Sequence, residues 1–381
     1  MHSATTVLAA SIVGPSSYSF AMEEIRYGVI GTGMMGIEHI ENLSAVDGAT
    51  VTAVSDPDAT SLANGAKTVG NGVATFSDHR DLIDANVCDA VVLVSPNYTH
   101  HAVLSDLLAS DLHVLTEKPM CISTEECLDV VAAAQGRSAL TWVGLEYRYM
   151  PPVSRLVDEV HSGTVGNVHM VSIREHRFPF LTKVGDWNRF TRNTGGTLVE
   201  KCCHYFDLMN LITGQRPVSV MASGGQNVNH LDEVYDGEQS DILDNAYVIV
   251  EYPNNVRAML DLCMFAEATR NQEELSVVGD AGKVEALIPQ NTLRIGHRGE
   301  HFINDVIEEP ISNDNIKVPG LHHGSSYLEH VDFADAIRNN TAPKVDVIDG
   351  LWSVAIGEAA HRSIAEHRPI SLAEILPPEF L

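Results

Sequence analysis

The sequence predicts an α/β protein: a doubly wound parallel sheet in the N-terminal part, followed by an α+β domain with an open, mostly antiparallel sheet. Strand-like and helix-like segments alternate up to about residue 148, as they do when helices cross over between parallel strands. Ala90–Ser95 is continuously apolar, which is typical of a strand buried on both faces. Beyond residue 148 the pattern changes to hairpins, which imply antiparallel pairing. We therefore predict domains at 22–148 and 149–381.

Each predicted element has a local signal. Ser123, followed by Glu126, predicts a capping box that opens a helix ending near residue 135. Pro253-Asn254-Asn255 and Gly279–Gly282 predict the turns of two hairpins. The predicted strands are Ile25–Ile30, Val51–Ser55, Ala90–Ser95, His113–Thr116, Leu140–Tyr147, Val168–Glu175, Ala246–Tyr252, Val256–Phe265, Glu274–Val278 and Lys283–Ile288. The predicted helices begin at Ile37 and Ser123 and cover His101–Ala109, Val153–His161, Gly195–Leu211, Tyr327–Arg338 and Leu351–His367. The stretch 229–245 carries six acidic residues and no Lys or Arg, and is predicted to be a solvated loop.

The charge of the chain excludes several classes of function. Lys and Arg number 24 against 51 Asp and Glu, which gives a net charge of −27. Binding to nucleic acid or to an anionic membrane requires the opposite sign of charge. No apolar run approaches the roughly 18–20 residues of a spanning helix. Residues 1–21 are predicted to be a disordered tail or a mis-assigned start, rather than a signal peptide, because they lack a cationic segment. We expect a cytoplasmic protein with reduced cysteines.

A glycine motif predicts a dinucleotide site after the first strand. Residues 31–36 read GTGMMG, and an acidic residue, Asp56, lies twenty residues beyond the last glycine. Gly31 permits a tight turn, Gly33 lets the backbone approach a pyrophosphate, and Gly36 lets the helix pack closely. Asp56 is expected to accept hydrogen bonds from a ribose, and no Lys or Arg follows until residue 67, so NAD is favoured over NADP. A similar domain without a dinucleotide is the alternative. The predicted cofactor site comprises Gly31, Gly33, Met34, Met35, Gly36 and Asp56.

Two further motifs follow later strands, at the sheet edge where open α/β sheets bind ligands. One reads Ser-Pro-Asn-x-x-His over residues 95–100, and the other is Glu-Lys-Pro at residues 117–119, where the bond before Pro119 is a candidate for the cis form. With the glycine motif and the hairpin sheet, these residues make the chain similar to the glucose–fructose oxidoreductase / inositol dehydrogenase (Gfo/Idh/MocA) family. The resemblance extends over roughly residues 24–376.

This resemblance implies which residues act. It adds Ser95, Pro96, Asn97, His100, Glu117 and Lys118 to the cofactor site. It makes Lys118 an active-site acid or base, and it maps a family motif, Asp-x-x-x-His-x-x-Asp, onto residues 200–207. His204 fits that motif, whereas Glu200 replaces the usual Asp and Cys202 a common Gly. The predicted catalytic residues are Lys118, His204 and Glu200, with either Lys118 or His204 as the base. Relatives are usually homodimers or homotetramers, and the same is expected here.

Positive charge concentrates just before this motif. Residues 174–204 hold six of the 24 cations and only three acidic residues. Two interpretations stay open: the stretch attracts an anionic sugar, or its arginines pair with acidic groups or lie at a subunit contact. The predicted substrate-binding residues are Lys118, Arg148, His176, Arg177, Trp187, Arg189, Lys201, His204 and His322. We predict no metal site, because adjacent Cys202, Cys203 and His204 do not have a zinc-ligand spacing.

The predicted function is an NAD-dependent oxidoreductase. It transfers a hydride between a secondary hydroxyl of a sugar, inositol or polyol, anionic or neutral, and nicotinamide. The alternative is an NAD-dependent glycoside hydrolase, which oxidises, eliminates, hydrates and reduces its substrate, for example a sulfoquinovoside-like anionic glycoside. A non-catalytic NAD-binding regulator is a third class, against which Lys118 and His204 argue. We expect a carbohydrate ligand and neither nucleic acid nor a membrane as partner.

Overall fold

A computed structural model of the chain describes residues 24–299 and 303–381, so the prediction for residues 1–21 lies outside the described residues. In the first domain, six parallel strands form one sheet in the order β3-β2-β1-β4-β5-β6, which confirms the predicted doubly wound arrangement. The three-residue strand β3 has no periodic pattern in the sequence. The strands are β1 (Ile25–Ile30), β2 (Ala49–Ser55), β3 (Ala74–Phe76), β4 (Ala90–Leu93), β5 (His113–Glu117) and β6 (Thr141–Gly144).

Five helices connect these strands. The predicted cap at Ser123 is present, because the Ser123 hydroxyl accepts a hydrogen bond from the Glu126 N–H. The Glu126 carboxylate accepts from the Ile122 N–H instead of from Ser123, so only half of the predicted capping box forms. The helices are α1 (Met34–Ala45), α2 (Ala59–Val69), α3 (His79–Asp84), α4 (His100–Leu108) and α5 (Thr124–Ala134).

The second domain contains a nine-stranded sheet in the order β16-β15-β14-β13-β7-β12-β11-β8-β17. All neighbours are antiparallel except β7 and β12, and both predicted hairpins form. The strands are β7 (Val168–His176), β8 (Ser219–Gly225), β11 (Asn245–Glu251), β12 (Arg257–Cys263), β13 (Glu273–Gly279), β14 (Gly282–Ile288), β15 (Thr292–His297), β16 (Ile307–Pro310) and β17 (Ile370–Ser371), and a separate two-stranded ribbon consists of β9 (Val234–Tyr235) and β10 (Glu238–Gln239).

Helices cover one face of the large sheet. These are α6 (Pro151–His161), α9 (Cys203–Thr213) and α11 (Val347–Glu366), which contact β14, β7 and β8 respectively. The other face is open and carries exposed apolar side chains: Met170, Met221, Tyr247, Ile249 and Met259. Two short helices, α7 (Thr191–Thr194) and α8 (Thr197–Glu200), precede α9, and α10 (Ser325–Asn339) packs against α1 of the first domain.

Two predictions for this domain need correction. The predicted helix 195–211 is interrupted, because Lys201 and Cys202 form a turn and the Cys202 carbonyl accepts the first hydrogen bonds of α9. The stretch 229–245 is not simply a solvated loop. It contains the β9–β10 ribbon, and it ends at the buried Asp244, whose carboxylate accepts from the N–H groups of residues 227–229.

Arg148 joins the two domains, and the prediction that it binds substrate is wrong. Its Nε donates to Asp207 Oδ2 at 2.6 Å, and its Nη2 pairs with the second oxygen of Asp207 and with Asp349 at 3.0 Å. Its Nη1 donates to the Lys344 carbonyl at 2.8 Å. These bonds tie the end of β6 to α9 and α11 and use every guanidinium nitrogen.

Replacing Arg148 by Met is expected to lower the free energy of unfolding by about 3 kcal/mol or more, because the buried Asp207 carboxyl, whose pKa burial already raises, loses the cation that pairs with it. Urea denaturation measures this loss. Arg257→Met is the control: Arg257 lies 3.7 Å from Glu251 on the exposed sheet face, and its loss costs less than about 0.5 kcal/mol. Equal losses in the two variants would contradict the structural role of Arg148.

Candidate active site

The turn after β1 has the shape that a dinucleotide pyrophosphate requires. Gly31 has φ +95°, and a Cβ there would lie 2.6 Å from the Val94 carbonyl oxygen. A Cβ on Gly36 would lie 2.1 Å from the Gly31 carbonyl oxygen. A Cβ on Gly33 would meet nothing within 4 Å, so open space lies against this N-cap residue of α1. Met34 and Met35 begin α1 there, and a helix N-terminus with open space before it suits a phosphate.

Asp56 lies beside this turn. Its Oδ2 accepts from the Thr32 N–H at 2.7 Å, and its Oδ1 accepts from the Asp58 N–H at 2.9 Å. These bonds, with a third from the Thr32 hydroxyl to Oδ2 at 3.2 Å, hold the carboxylate in place, and Oδ1 keeps a lone pair for a ribose hydroxyl. The next carboxylate, Asp58, caps α2 by accepting from the Ser61 N–H.

The turn after β4 contains a buried group that suits a ligand. Asn97 is buried, and its Nδ2 has no hydrogen-bond partner in the described part of the chain. Ser95 and Pro96 lead into it, and the Ser95 hydroxyl lies 2.6 Å from that of Thr99. His100 is fully buried, and its two ring nitrogens lie 2.9 Å from the Ser95 and Pro119 carbonyl oxygens. It therefore connects the two turns, and its predicted direct contact with a cofactor is wrong.

Glu117 and Lys118 end β5, and the Lys118–Pro119 bond is cis. Glu117 Oε2 accepts from the Lys118 N–H at 2.9 Å, while Oε1 lies 2.9 Å from His39 Nε2. His39 Nδ1 in turn lies 2.8 Å from His330 Nε2 on α10. Burial raises the pKa of Glu117, but the hydrogen bond and charge of His39 outweigh it and bring that pKa to about 2. Glu117 is therefore ionised.

Lys118 points toward the motif at residues 200–207, where its Nζ lies 3.4 Å from the Glu200 carbonyl oxygen. Burial lowers the pKa of Lys118, but the surrounding groups Cys203, Glu117, Glu146 and Glu200 raise it above its usual value. The depressed pKa that a lysine base requires is thus absent. Lys118 is a cation, able to donate a hydrogen bond to a substrate oxygen.

His204, in contrast to Lys118, has a lowered pKa and is neutral. It is 1% exposed, its ring stacks on Tyr147 with centroids 3.9 Å apart, and its Nδ1 has no partner among the described residues. Burial, followed by the charges of Lys118 and Lys201, lowers its pKa well below the usual value. A neutral imidazole has a lone pair that can accept a proton, whereas a lysine cation has none, so the arrangement favours His204 over Lys118 as the candidate base.

Glu200 is buried, and its Oε2 has no partner in the described ranges. Burial raises its pKa to about 7 against the opposing charges of Lys118, Lys183 and Arg189. The turn at residues 201–202 separates Glu200 from His204, so the two residues do not lie on one continuous helix.

Two residues near this site were not predicted. Glu146 follows β6, and its Oε1 lies 3.7 Å from His204 Nε2 and 3.7 Å from His322 Nδ1. Its place directly after a parallel strand, at the same edge as Lys118, was a signal in the sequence. Lys183 lies on the segment between β7 and α7. Burial lowers its pKa; the charge of Glu200 opposes this decrease, and the charge of Lys118 adds to it. These interactions place Lys183 near the Lys118–Glu200 pair.

Most of the positive charge in 174–204 is neutralised. Lys201 Nζ and Arg177 Nη1 each lie 3.0 Å from Oε1 of the fully buried Glu175. The other pairs are Arg174 with Glu274, Arg189 with Glu233, and Arg192 with Glu238. Of the six cations, Lys183 alone has no carboxylate oxygen within 4 Å among residues 24–299 and 303–381. The structure therefore favours the interpretation that the arginines pair with acidic groups.

Of the remaining predicted substrate residues, His176 lies on the open face of the nine-stranded sheet, away from the others. His322 lies beside Glu146, and Trp187 lies edge-on to Tyr98 of the β4 turn, with ring centroids 6.3 Å apart. Arg189 is buried, with Nη1 unpartnered in the described chain. His176 lies 3.2 Å from Asp261 on the open face of the sheet, because it alternates with inward-facing Glu175, so its assignment to the site is wrong.

Glu273 beneath the site is expected to make stability depend on pH. It is 1% exposed, and burial, followed by the charge of Glu175, raises its pKa from 4.5 to about 7. The folded protein thus keeps a proton that the unfolded chain loses above pH 4.5, and stability falls as pH rises, by about 1.4 kcal/mol per unit up to the folded pKa.

Denaturation at several pH values measures this effect. Between about pH 4.5 and about pH 7.5, the wild type is expected to lose about 3 kcal/mol more than Glu273→Gln, which cannot ionise. Glu274→Gln, on the neighbouring residue of the opposite sheet face, serves as the control. A pH slope that Glu273→Gln leaves unchanged would show that another group is responsible.

The described chain has no membrane-spanning helix, no metal-binding group and no disulfide. No helix of the described chain is long and apolar enough to cross a membrane. Within residues 24–299 and 303–381, no three His, Cys, Asp or Glu side chains are grouped so as to hold a metal ion. All six cysteines are free thiols, and burial raises the pKa of Cys202 and Cys203.

Comparison with known proteins agrees with this geometry. Residues 25–145 match the family model for the NAD-binding Rossmann fold of the Gfo/Idh/MocA oxidoreductases, and residues 157–372 match the model for their C-terminal alpha/beta domain. Myo-inositol 2-dehydrogenase from Thermotoga maritima is 26% identical over 360 residues, which cover 92% of this chain and 100% of the relative. The 2,7-anhydro-N-acetylneuraminate hydratase of Escherichia coli is 24% identical over 379 residues, covering 92% and 98% of the two chains.

A solved structure has the same fold. Levoglucosan dehydrogenase in complex with NADH and levoglucosan superimposes with a TM-score of 0.80 at 18% identity, covering 92% of this chain and 100% of the other. The two family models together span nearly the whole of the described chain. The chain is therefore an oxidoreductase with an NAD-binding Rossmann domain, and it belongs to the Gfo/Idh/MocA family.

Proposed function

We propose that the protein transfers a hydride between a secondary hydroxyl of a sugar, inositol or polyol and NAD. The observation that carries this proposal is the place of Lys118, whose Nζ lies 3.4 Å from the Glu200 carbonyl oxygen, beside the motif that holds buried His204, whose Nδ1 has no partner in the described chain. Oxidation of an alcohol requires a base for the hydroxyl proton and a donor that stabilises charge on the oxygen. When bound, NAD supplies the hydride acceptor.

Each residue then has a defined task. Gly33 and the N-terminus of α1 hold the pyrophosphate, and Asp56 holds the ribose. Lys118 donates to the substrate oxygen and orients it. His204 accepts the hydroxyl proton, and the stacked Tyr147 holds its ring in place. Glu200, whose pKa is near 7, hydrogen-bonds a second hydroxyl of the substrate.

The printed names of the relatives support a polyhydroxylated substrate. The Thermotoga maritima relative is a myo-inositol dehydrogenase, and so is a Rhizobium meliloti relative that is 27% identical over 362 residues. An anionic substrate group would contact Lys183 and the free Nη1 of Arg189, because the other cations are already paired. Neutral polyols are thus the first choice of substrate and anionic sugars the second.

A redox-cycling reaction is the second candidate. In such a reaction, oxidation makes a neighbouring C–H acidic, a group is eliminated, water adds, and the hydride returns. This chemistry needs titratable groups beyond one base, and Glu146 and Glu200 have pKa values of about 8 and about 7. The anhydro-neuraminate hydratase among the relatives also favours it. A glycoside hydrolase of this kind, including one acting on a sulfoquinovoside-like glycoside, therefore stays an alternative.

Incubation of the purified protein with NAD and a substrate panel tests the proposal. The panel contains inositols, glucose, gluconate, and sulfonated or carboxylated glycosides, and nicotinamide absorbance is followed together with the sugar products. NADH formed in step with an oxidised sugar is the expected result. Release of an aglycone, or of a hydrated product, without net NADH would replace the dehydrogenase by the redox-cycling alternative.

Lys118→Ala is expected to lower turnover by at least about 100-fold while NAD still binds, because the variant loses the donor to the reacting oxygen. Turnover is measured with the best substrate of the panel, and NAD binding by protein fluorescence. Lys67→Ala, on α2 and outside the site, is the control. Turnover within about twofold of the wild type would remove Lys118 from the mechanism.

We also propose that NAD is preferred over NADP, since a 2′-phosphate beside Asp56 would meet a fixed carboxylate. Asp56→Ala is expected to weaken NAD binding about tenfold, roughly 1.4 kcal/mol, and to narrow the difference from NADP. Titration with both nucleotides measures this, with Asp58→Ala as the control. An unchanged ratio of the two affinities would mean that Asp56 does not contact the ribose.

The open sheet face is the proposed contact between subunits. Its exposed Met170, Met221, Tyr247, Ile249 and Met259 form an apolar surface of the kind that oligomers bury. A homodimer or homotetramer formed there stays a prediction, as does a cytoplasmic location.

A further inference from the structure

The site contains a carboxyl group to which the reaction above gives no task. Glu146 is 2% exposed, and neither of its oxygens has a hydrogen-bond partner among the described residues. A buried polar group without a partner has a desolvation cost that no hydrogen bond offsets. Such a group at a reactive centre points to a function that offsets this cost.

Glu146 lies between two histidines of different exposure. Its Oε1 is 3.7 Å from Nε2 of His204, which is 1% exposed, and 3.7 Å from Nδ1 of His322, whose side chain is 21% exposed. Both distances exceed the upper limit of a normal hydrogen bond by about 0.5 Å, so a small rotation of the side chains closes each gap. The three side chains form a row from the interior toward the surface.

His204, as the proposed base, requires a path by which its proton can leave the interior. A buried imidazole that takes a proton from a substrate must release it before the next turnover, and His204 is buried from the surface of the described chain. In the described chain its Nδ1 is unpartnered, while Nε2 faces Glu146. One nitrogen can thus accept a proton while the other gives one up.

We propose that His204, Glu146 and His322 form a proton relay that connects the base of the reaction to solvent. The proposal rests on the proposed function, because it assigns His204 the proton of the substrate hydroxyl. In the relay, the carboxyl proton of Glu146 passes to Nδ1 of His322, and the proton on His204 passes to the carboxylate. Glu146 ends as it began, His204 is neutral again, and His322 releases one proton to water. In the reverse reaction, each transfer runs backward.

The proton affinities of the three groups place the resting proton on Glu146 and make its transfer to His322 the uphill step, while the transfer from protonated His204 to the carboxylate is downhill. Burial and then the charge of Glu117 raise the pKa of Glu146 to about 8, so the carboxyl carries a proton near neutrality. Burial and then the charge of Lys201 lower the pKa of His322 to about 3, so it releases a proton readily. The other titratable groups that interact with Glu146 are Glu117, Lys118, Tyr147, Lys201, Cys203 and Glu329.

Glu146→Gln keeps the shape of the side chain and removes its ability to carry a proton, and His322→Gln interrupts the next step. Glu329→Gln is the matched control. Glu329 is also a buried carboxyl with a raised pKa, but it accepts a hydrogen bond from Trp142 Nε1 at 3.1 Å. NAD binding and thermal unfolding verify that each variant folds.

Turnover with the best substrate of the panel is expected to fall about 100-fold in Glu146→Gln and in His322→Gln, and by less than about twofold in Glu329→Gln. The solvent deuterium isotope effect on kcat is expected to rise and the effect of deuterium on the substrate carbon to fall, because proton release becomes limiting. A purely structural role of Glu146 would not shift these isotope effects in opposite directions. Turnover and isotope effects like those of the wild type in Glu146→Gln would overturn the relay.

Infrared spectroscopy tests the proton on Glu146 without any substrate. The carbonyl band of the protonated carboxyls is expected to contain a component that titrates near pH 8 in the wild type and in Glu329→Gln, and Glu146→Gln is expected to lose that component. The components of Glu200 and Glu273, which titrate near pH 7, stay in all three proteins. An unchanged titration in Glu146→Gln would overturn the relay. If no compound of the panel is turned over, the proposed function fails, and this titration still decides whether Glu146 carries the proton.

Discussion

The ionised carboxylate of Glu117 is the interaction on which the site depends. It is buried at the end of β5 and binds the Lys118 N–H with one oxygen and His39 with the other. Because His39 lies on α1 and contacts His330 on α10, one carboxylate fixes the reactive lysine relative to both domains. Burial alone would protonate such a group, and His39 and Lys118 prevent this. The position of Lys118 is thus set by the hydrogen bond and the charge of Glu117.

Neighbouring groups also set the different pKa values of the three carboxyl groups of the site. Glu117, Glu200 and Glu146 are all buried, so desolvation alone does not distinguish them. Glu117 has a hydrogen-bonded histidine and a pKa of about 2, Glu200 has only nearby cations and a pKa of about 7, and Glu146 has no bonded partner and a pKa of about 8. Neighbours therefore decide which group is a fixed charge and which can move a proton. A lysine cation and a neutral histidine coexist here for the same reason.

Local patterns predicted the fold well, whereas long-range pairing limited the prediction of the site. The glycine motif and the apolar strand at Ala90–Leu93 depend on neighbours in sequence, so they were recognisable. The role of Arg148 depends on Asp207 and Asp349, which lie far along the chain, and no local sequence pattern predicts these ion pairs. His176 was assigned wrongly because strand alternation tells which residues share a face, but not which face the helices cover.

The distribution of charge explains how a strongly acidic chain maintains a cationic site. The net charge is −27, yet acidic groups neutralise most cations near the motif at pair distances of about 3 Å, as Glu175 does for both Lys201 and Arg177. Such pairs are rigid and desolvated, so they shape the pocket while contributing little net field. The electrostatic field at the substrate position then comes mainly from the two lysines that are not paired in this way, Lys118 and Lys183. Glu200 interacts with both of them. Two cations facing one carboxyl with a pKa near 7 are suited to reading hydroxyl groups, which both donate and accept, better than a full anion, which only accepts. That balance, rather than the count of arginines in the sequence, is the ground on which we propose a neutral polyol as the substrate.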